Sequence, residues 1–271
     1  MQVIGLCRFS YPALGSFQTE HETVEDRRRH LYNPIRLEER FRLFESSTLP
    51  CFREQTDEEF ELLLVIGHCL PQEARDRLRD LTSDIRQVRI IQQSSDTDRR
   101  HRHVMKDILN AARTHPDQPC IQFRHDDDDA VSVDFIERLR SAVEDSKRLM
   151  ATNRMVGIDF NKGFFARLNA QGIIAAETTK HLLGVGLGMH IAGGCKQTMM
   201  SFTHHRIGRF MPVVSYPDAP MWVRSLNGFN DSRGARNNTK ELAPLTTQQE
   251  GEFIARFAID HNRVRQSHSA V

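Results

Sequence analysis

One stretch of this chain constrains its fold more than any other, the segment from Pro119 to Arg140. It opens with a short apolar run, passes through the four consecutive aspartates 126–129, and then repeats apolar residues at helical spacing. Ser132 suits the N-cap position of that helix, and Asp134 adds a negative charge to its first turn. The acidic run is therefore predicted to join a strand to a helix, at the edge where open α/β sheets bind ligands.

Four adjacent carboxylates repel one another, and each raises the pKa of its neighbours unless a cation or hydrogen-bond donors relieve the charge. Mg²⁺ and Mn²⁺ suit this role because they take oxygen ligands and bind phosphates and water as well. If the run continues the strand, Asp126 and Asp128 point the same way and form a D-x-D pair facing one ion. A solvated acidic turn that caps a helix is an equal alternative. An EF-hand is excluded because Val131 stands where that loop requires glycine.

Composition excludes several broad classes of protein. The 271 residues suffice for one large α/β domain or two small ones, and a net charge of +1 argues against nucleic-acid binding and a general membrane-surface role. No apolar run reaches the ~18 residues of a membrane span, and the N-terminal run is too short for a signal peptide, so we expect a cytoplasmic protein. The five cysteines form no C-x-x-C pair, so buried free thiols are expected rather than disulfides or zinc.

The first half of the chain alternates apolar runs with helical patterns. Strands are predicted at 2–7, 61–67, 88–91 and 120–123. Helices are predicted at 36–53, with a kink or restart at Pro50, after Pro71, and at 102–113. Residues 13–34 are polar and irregular and are predicted to form a surface excursion or a lid. This order indicates βαβ units and a mostly parallel central sheet flanked by helices, hence an α/β fold.

After about residue 149 the pattern changes to short strands with turns, which predicts a smaller mixed C-terminal part. The glycine-rich stretch 181–191 does not fit a dinucleotide-binding loop, because Met189 stands where the third glycine is required. We predict instead a packed segment with close backbone contacts. Residues 246–261 are predicted to form one amphipathic helix, followed by a frayed tail.

Motifs spread over nearly the whole chain are shared with a known family of enzymes. They are Arg8-Phe9-Ser10-Tyr11, Arg36-Leu37-Glu38-x-Arg40 with Phe44-Glu45, Gln55-Thr56, the block Arg124-x-Asp126-Asp127-Asp128-Asp129-Ala130, and Trp222 to Asn230. On these residues the chain resembles the bacterial rhamnosyltransferases, nucleotide-sugar glycosyltransferases of the GT-A type. The resemblance implies a single GT-A-like (Rossmann-like) domain over 1–271, with a nucleotide-sugar-binding half at 1–148 and an acceptor-side half at 149–271.

In such enzymes a D-x-D motif holds Mn²⁺ or Mg²⁺ against the donor diphosphate, which the resemblance places on Asp126 and Asp128. A histidine from the C-terminal half often completes the metal site, and His204 and His205 are the leading candidates, with His190 third. The resemblance further implies that the donor contacts Arg8, Arg102, Arg124, Asp126 and Asp127. For Arg124, a structural ion pair with the acidic run is an equal alternative. A histidine can stand in this family where Asn227 stands here, which leaves the third ligand open.

The acceptor side is assigned to a second distinctive stretch, around the single tryptophan. Trp222 and Arg224 are predicted to contact the acceptor, with core packing of Trp222 as the alternative. An inverting transferase needs a general base, and the weighed candidates are Asp159, Glu177, Asp218 and Asp231. Asp218 and Asp231 are preferred because they flank the tryptophan stretch.

The sequence therefore favours a metal-dependent glycosyltransferase that uses a nucleotide-sugar, with dTDP-rhamnose as a candidate donor. A glycan or lipid-linked acceptor at the inner face of the membrane, with peripheral attachment there, is the expected partner. One alternative is a metal-dependent nucleotidyltransferase or phosphohydrolase. Another is an inactive nucleotide-sugar-binding module, which would bind the donor without turnover.

Overall fold

A computed structural model describes residues 1–15, 21–94, 99–228 and 241–269. Its twelve described strands fall into two sheets. They are β1 (Gln2–Arg8), β2 (Glu61–Gly67), β3 (Val88–Gln93), β4 (Cys120–Asp126), β5 (Ala130–Val131), β6 (Met155–Phe160), β7 (Lys162–Asn169), β8 (Gly172–Thr179), β9 (Leu187–Ile191), β10 (Val213–Tyr216), β11 (Trp222–Ser225) and β12 (Ala243–Pro244).

Helices cover these sheets and connect their strands. The α-helices of the described residues are α1 (Val24–Leu31), α2 (Pro34–Leu43), α3 (Leu49–Arg53), α4 (Gln72–Thr82), α5 (His101–Ala111), α6 (Phe135–Asp145), α7 (Lys147–Thr152), α8 (Thr247–Phe257) and α9 (His261–Ser269). A π-helical segment, Phe44–Thr48, joins α2 to α3. Short 3₁₀ turns lie at Gly184–Gly186, Met199–Ser201 and His204–Arg209. Among the described residues, no helix combines the length and apolar character that crossing a membrane requires.

The main sheet has the strand order β10-β6-β9-β4-β1-β2-β3. Strands β3, β2, β1 and β4 are mutually parallel, β9 runs antiparallel to both β4 and β6, and β10 is parallel to β6. Because β9 is antiparallel to both of its neighbours, β4 and β6 run parallel to each other, and their carboxyl ends lie at the same edge of the sheet. The predicted α/β fold with a mostly parallel central sheet is confirmed.

The second sheet, in the order β12-β8-β7-β11-β5, is mixed and confirms the predicted smaller C-terminal part. Strands β7 and β8 form an antiparallel hairpin, which turns at 169–172. Gly163 and Gly186 lie against the Trp222 indole, where an added Cβ would come within 2.2 and 2.5 Å of its ring atoms. The close backbone contacts predicted for the glycine-rich stretch are thus present.

Several predicted boundaries were wrong for identifiable reasons. Residues 13–34 include α1, whose Arg27 is fully buried, so this stretch is not simply a surface excursion. The helix after the aspartates begins at Phe135 with Asp134 as its cap, and the Ser132 hydroxyl donates to the Met221 sulfur at 3.4 Å instead of capping the helix. The C-terminal helical pattern is divided at Ala258, which adopts a left-handed φ of 55°, and α9 occupies part of the predicted frayed tail.

Candidate active site

The four aspartates lie at the carboxyl edge of the main sheet. Strand β4 pairs with β1 along its full length and ends with Asp126 beside Arg8, the last residue of β1. The two side chains form an ion pair at 3.2 Å. The strand reaches beyond the apolar run at 120–123 because parallel pairing with β1 continues through the polar residues 124–126. The acidic run follows a strand as predicted, but the two-residue strand β5 separates it from the helix α6.

After Asp126 the chain turns instead of continuing as a strand, so the alternation that would align Asp126 with Asp128 does not occur. Asp126 and Asp129 share the guanidinium of Arg224, at 2.8 and 2.5 Å. Asp127 and Asp128 share that of Arg40, at 3.6 and 2.5 Å. The carboxylates are thus grouped by two arginines that lie far away in the sequence.

Arg224 belongs to β11 of the second sheet, so it links the two sheets across the site. The backbone N–H of Ser225 donates to the other oxygen of Asp129 at 3.0 Å. Two residues farther on, the Asn227 amide donates to Asp128 at 2.8 Å. The segment that carries the tryptophan therefore binds three of the four residues of the acidic turn.

Two side chains also hold the acidic turn in place through the backbone carbonyl of Asp129. The Thr48 hydroxyl, at the end of the π-helical segment, donates to the Asp129 carbonyl at 2.7 Å. The buried His125 ring lies 3.0 Å from the same carbonyl through Nε2. These two contacts hold the backbone of Asp129 in place while Arg224 binds its side chain, so the turn is rigidly positioned.

The charges at the site favour an anion. Five arginines act on the four aspartates, namely Arg8, Arg36, Arg40, Arg124 and Arg224. Burial opposes ionisation of Asp126, but Arg224, Arg8 and Arg124 together hold its pKa well below the usual range. Burial likewise opposes the charge on Arg224, yet the facing carboxylates, led by Asp129, raise its pKa well above the usual range.

Asp127 behaves in the opposite way. Burial, assisted by the charges of Asp128 and Asp126, raises the pKa of Asp127 to about 6 in spite of Arg40. Its folded pKa is above the ~3.9 of an unfolded aspartate. Between these two pH values the folded state binds a proton that the unfolded state does not. The contribution of this group to the free energy of unfolding therefore rises as the pH falls from about 6 towards 4.

Substitution Asp127→Asn is expected to remove this pH dependence. In metal-free buffer, urea unfolding of the wild type at pH 7 and pH 5 should show a gain in stability at pH 5 relative to the variant. The variant keeps an acceptor for Arg40 but binds no proton in this range. Identical pH dependence of the two proteins would contradict the assignment.

Arg124 extends from β4 towards the turn at 184–186, where its guanidinium lies against Gly184. Burial lowers the pKa of Arg124, and the charges of Asp126 and Asp129 oppose that effect. Burial, together with the charge of Arg124, lowers the pKa of His204 to about 4. Its Nδ1 is 2.5 Å from the Leu182 carbonyl, which makes Nδ1 the donor and leaves the lone pair on Nε2 of a neutral ring.

Other predicted site residues lie apart from this cluster or in the core. Arg102 and His205 are exposed, and Asp218 forms an exposed ion pair with Arg138 of α6. Asp231 lies outside the described residues. Trp222 is fully buried, with its Nε1 donating to the Phe160 carbonyl at 2.9 Å. A buried indole cannot stack on a sugar, so its prediction as an acceptor platform is wrong and core packing holds.

Sequence reasoning gave no role to Arg40, Asp129 or Asn227, although all three take part in the cluster. Arg40 and Asn227 do fall within motifs shared with the rhamnosyltransferases, and that was the available signal. Their pairing with particular aspartates depends on how the chain folds back and has no local pattern.

Among the described residues, no three histidine, cysteine or acidic side chains come together as a metal-binding group. Asp126 is nevertheless partly exposed, at 27% of its side chain, whereas the side chains of the other three aspartates are almost completely buried. Mg²⁺ is commonly bound by one or two carboxylates and substrate phosphates, so a single accessible carboxylate fits such an ion in combination with a phosphate ligand.

Comparison with known families decides the relationship. The model of the family described as "putative rhamnosyl transferase" matches residues 2–239. The chain belongs to this family. The resemblance drawn from its motifs is thereby confirmed, and the rhamnosyltransferase family is a family of glycosyltransferases. No curated protein sequence matches the chain.

Solved structures to which this rhamnosyltransferase-family chain is similar include residues 1–349 of S. aureus TarS, at 9% identity and a TM-score of 0.45. The match covers 83% of this chain and 60% of that one. The same protein in complex with UDP-GlcNAc gives a TM-score of 0.43 at 9% identity, with 85% and 60% covered. A UDP-glucose pyrophosphorylase complexed with UDP-glucose gives 0.32 at 11% identity, with 71% and 76% covered. The chain thus spans about three fifths of the length of the TarS structure.

Proposed function

We propose that this protein is a metal-dependent glycosyltransferase that moves a sugar from a nucleotide-sugar to a hydroxyl group of a glycan or lipid-linked acceptor. Family membership supports the reaction class and makes rhamnose the first sugar to test, with dTDP-rhamnose as the first donor. The acceptor would be met at the inner face of the membrane by a cytoplasmic enzyme.

One observation carries the proposal. Arg8 and Arg224 flank Asp126, the one aspartate of the run with an accessible carboxylate, at the carboxyl edge of two parallel strands. This edge is the usual ligand site of an open α/β sheet. Guanidinium groups bind phosphate oxygens with paired, charge-assisted hydrogen bonds. A nucleoside diphosphate therefore matches both the position and the charge of the site.

A divalent cation would be held by Asp126 together with the donor diphosphate, and when bound it would neutralise the charge that develops on the leaving diphosphate. His204 is the further ligand to test first, because its Nδ1 donates to the Leu182 carbonyl and its Nε2 therefore carries the lone pair. Asp128 is paired with Arg40 and Asn227, so, like Asp126 with Arg8 and Arg224, it could bind the ion only after releasing an existing partner. Arg8 and Arg224 would orient the diphosphate, with Arg124 beside them.

Thermal unfolding with a panel of nucleotides and nucleotide-sugars, with and without Mn²⁺, tests the proposal. A ligand at about 100 times its Kd stabilises the protein by ~2.7 kcal/mol, which a melting shift reveals. We expect a metal-dependent shift with one nucleoside diphosphate and its sugar conjugates, and loss of that shift in Asp126→Asn. The exposed Asp76→Asn serves as the matched control and should keep it.

The outcomes separate the alternatives. No shift with any nucleotide would contradict the proposed function. A shift of equal size without the metal would retain the glycosyltransferase and remove the metal dependence. Release of phosphate from simple phosphate esters, without need of a nucleotide-sugar, would favour the nucleotidyltransferase or phosphohydrolase alternative.

A further inference from the structure

A buried carboxylate and an exposed imidazole form a pair at the end of β6. Asp159 is fully buried, and its Oδ2 lies 3.5 Å from Nδ1 of His181. The His181 side chain is 70% exposed, so the remainder of the ring faces solvent. An acid-histidine pair of this kind, in which only the histidine is reachable, is typical of a general base held by an orienting carboxylate.

The surroundings of this pair fix the orientation of the ring. Asp159 accepts hydrogen bonds from the Leu182 N–H at 2.9 Å and from the Ser215 hydroxyl at 3.1 Å, so the carboxylate itself is held in place. Nδ2 of the Asn161 amide lies 3.2 Å from the same Nδ1 of His181. Its Oδ1 is buried and has no hydrogen-bond partner among the described residues.

Rotating the Asn161 side-chain amide by half a turn exchanges its nitrogen and oxygen. The oxygen, which otherwise lacks a partner among the described residues, would then accept a hydrogen bond from an N–H at Nδ1 of His181. Both Asp159 and Asn161 would then accept from Nδ1. This arrangement selects the tautomer that carries its proton on Nδ1, and it leaves the Nε2 lone pair on the exposed side of the ring.

The strand register places this pair beside the donor site. Phe123 of β4 pairs with Gly188 of β9, and Gly188 pairs with Ile158 of β6. One residue farther along, Asp159 is therefore level with Arg124, two strands away and on the same face of the sheet. Two strand intervals amount to about 10 Å.

Contacts also connect the two positions directly. Leu182, which follows His181, donates to Asp159 through its N–H and accepts from His204 through its carbonyl. Its φ of 55° lies in the left-handed region, which a side chain such as leucine adopts only at a cost of about 1–3 kcal/mol. Gly184, two residues later, packs against Arg124. The segment is thus held in an unfavourable conformation between the pair and the arginines.

We propose that His181 is the general base of the transfer reaction and that Asp159 is its positioning residue. The proposal rests on the proposed function and replaces the preference for Asp218 and Asp231. In this step Nε2 of His181 takes the proton of the acceptor hydroxyl, and the oxygen of that hydroxyl forms the new bond to the anomeric carbon. The bond from that carbon to the diphosphate oxygen breaks, and its electron pair leaves with the diphosphate. The imidazolium, stabilised by Asp159, then returns its proton to water.

The test uses His181→Ala in the full chain, with the nucleotide-sugar that gives the melting shift described above. Water replaces the unknown acceptor, and release of the nucleoside diphosphate is followed. We expect an unchanged donor-induced melting shift, a rate lower by about 10²-fold or more, and partial recovery of the rate on adding free imidazole. His115→Ala, which removes an exposed histidine near the amino end of β4, should retain the wild-type rate.

Asp159→Asn tests the positioning role. We expect a lower kcat with an unchanged donor KM, and a ¹⁵N spectrum in which the His181 ring loses its single preferred tautomer. If this buried variant fails to fold, the ¹⁵N spectrum of the wild type still tests the proposal. The proposal requires the neutral His181 ring to carry its proton on Nδ1, and a proton on Nε2 would overturn it.

Each result supports or overturns the inference. Wild-type rates in His181→Ala with normal donor binding would overturn it and leave the proposed function intact. A reduced rate that imidazole does not restore would overturn the role as base and assign the residue a structural role. Failure of every nucleotide-sugar to bind the wild type would overturn the proposed function and this inference together.

Discussion

Substitution Arg224→Met should destabilise the protein by about 3–5 kcal/mol, because it removes one partner of a buried ion network and leaves the buried Asp129 carboxylate without its arginine. Arg224 is bound to both Asp126 and Asp129, and the Asp129 side chain is only 1% exposed. Methionine is of similar length and supplies neither the charge nor the donors. Urea unfolding at pH 7 measures the difference in the free energy of unfolding.

Arg138→Met provides the matched control. Arg138 forms an equally short ion pair with Asp218, but both side chains are substantially exposed, at 33% and 52%. Exposed pairs contribute about 0–1 kcal/mol. Equal losses in the two variants would show that the Arg224 network does not support the fold, and that the four aspartates are stabilised in another way.

Trp222→Ala is expected to cost about 3–5 kcal/mol of stability, as does truncation of other large, fully buried aromatic residues. The indole packs against Phe165 at 5.7 Å between ring centroids and fills the space left by two glycines. Trp222→Phe keeps most of this volume but leaves the Phe160 carbonyl without its donor, so it should cost about 1–3 kcal/mol. Urea or thermal unfolding orders the variants.

Phe210→Ala is the control for this prediction, since the Phe210 side chain is 61% exposed and its loss should stay within about 0.5 kcal/mol. The protein has a single tryptophan, so its fluorescence reports this site alone. Emission typical of an exposed indole, quenched by sugars, together with an undiminished stability of Trp222→Ala, would restore the acceptor platform.

The fold was predictable where hydrophobic pattern alone determines structure. After Glu61 the run at 62–67 is apolar throughout because β2 lies between two parallel neighbours, and the bounds of this strand were predicted correctly. The end of β4 was not, because its last residues are polar and are held in the sheet only by pairing with β1. Helix α1 was missed for a similar reason, since a buried arginine gives no apolar signal.

The candidate site was predictable as a location but not as a set of contacts. Four aspartates after an apolar run indicate the carboxyl edge of a sheet, and the structure places them there. Their partners Arg40 and Arg224 come from a different helix and a different sheet. The His181–Asp159 pair likewise joins the end of one strand to the loop after another. Such pairings follow from topology, which a local pattern does not encode.

The antiparallel strand β9 has a consequence for biosynthesis. It fills the gap between β4 and β6, so the inner edge of β4 stays unpaired until residues 187–191 have left the ribosome. Until then the nascent chain exposes an apolar strand edge, which is a template for aggregation and a natural target for chaperones. A fragment ending at residue 148 would keep that edge permanently, so the two halves are expected to fold as one cooperative unit.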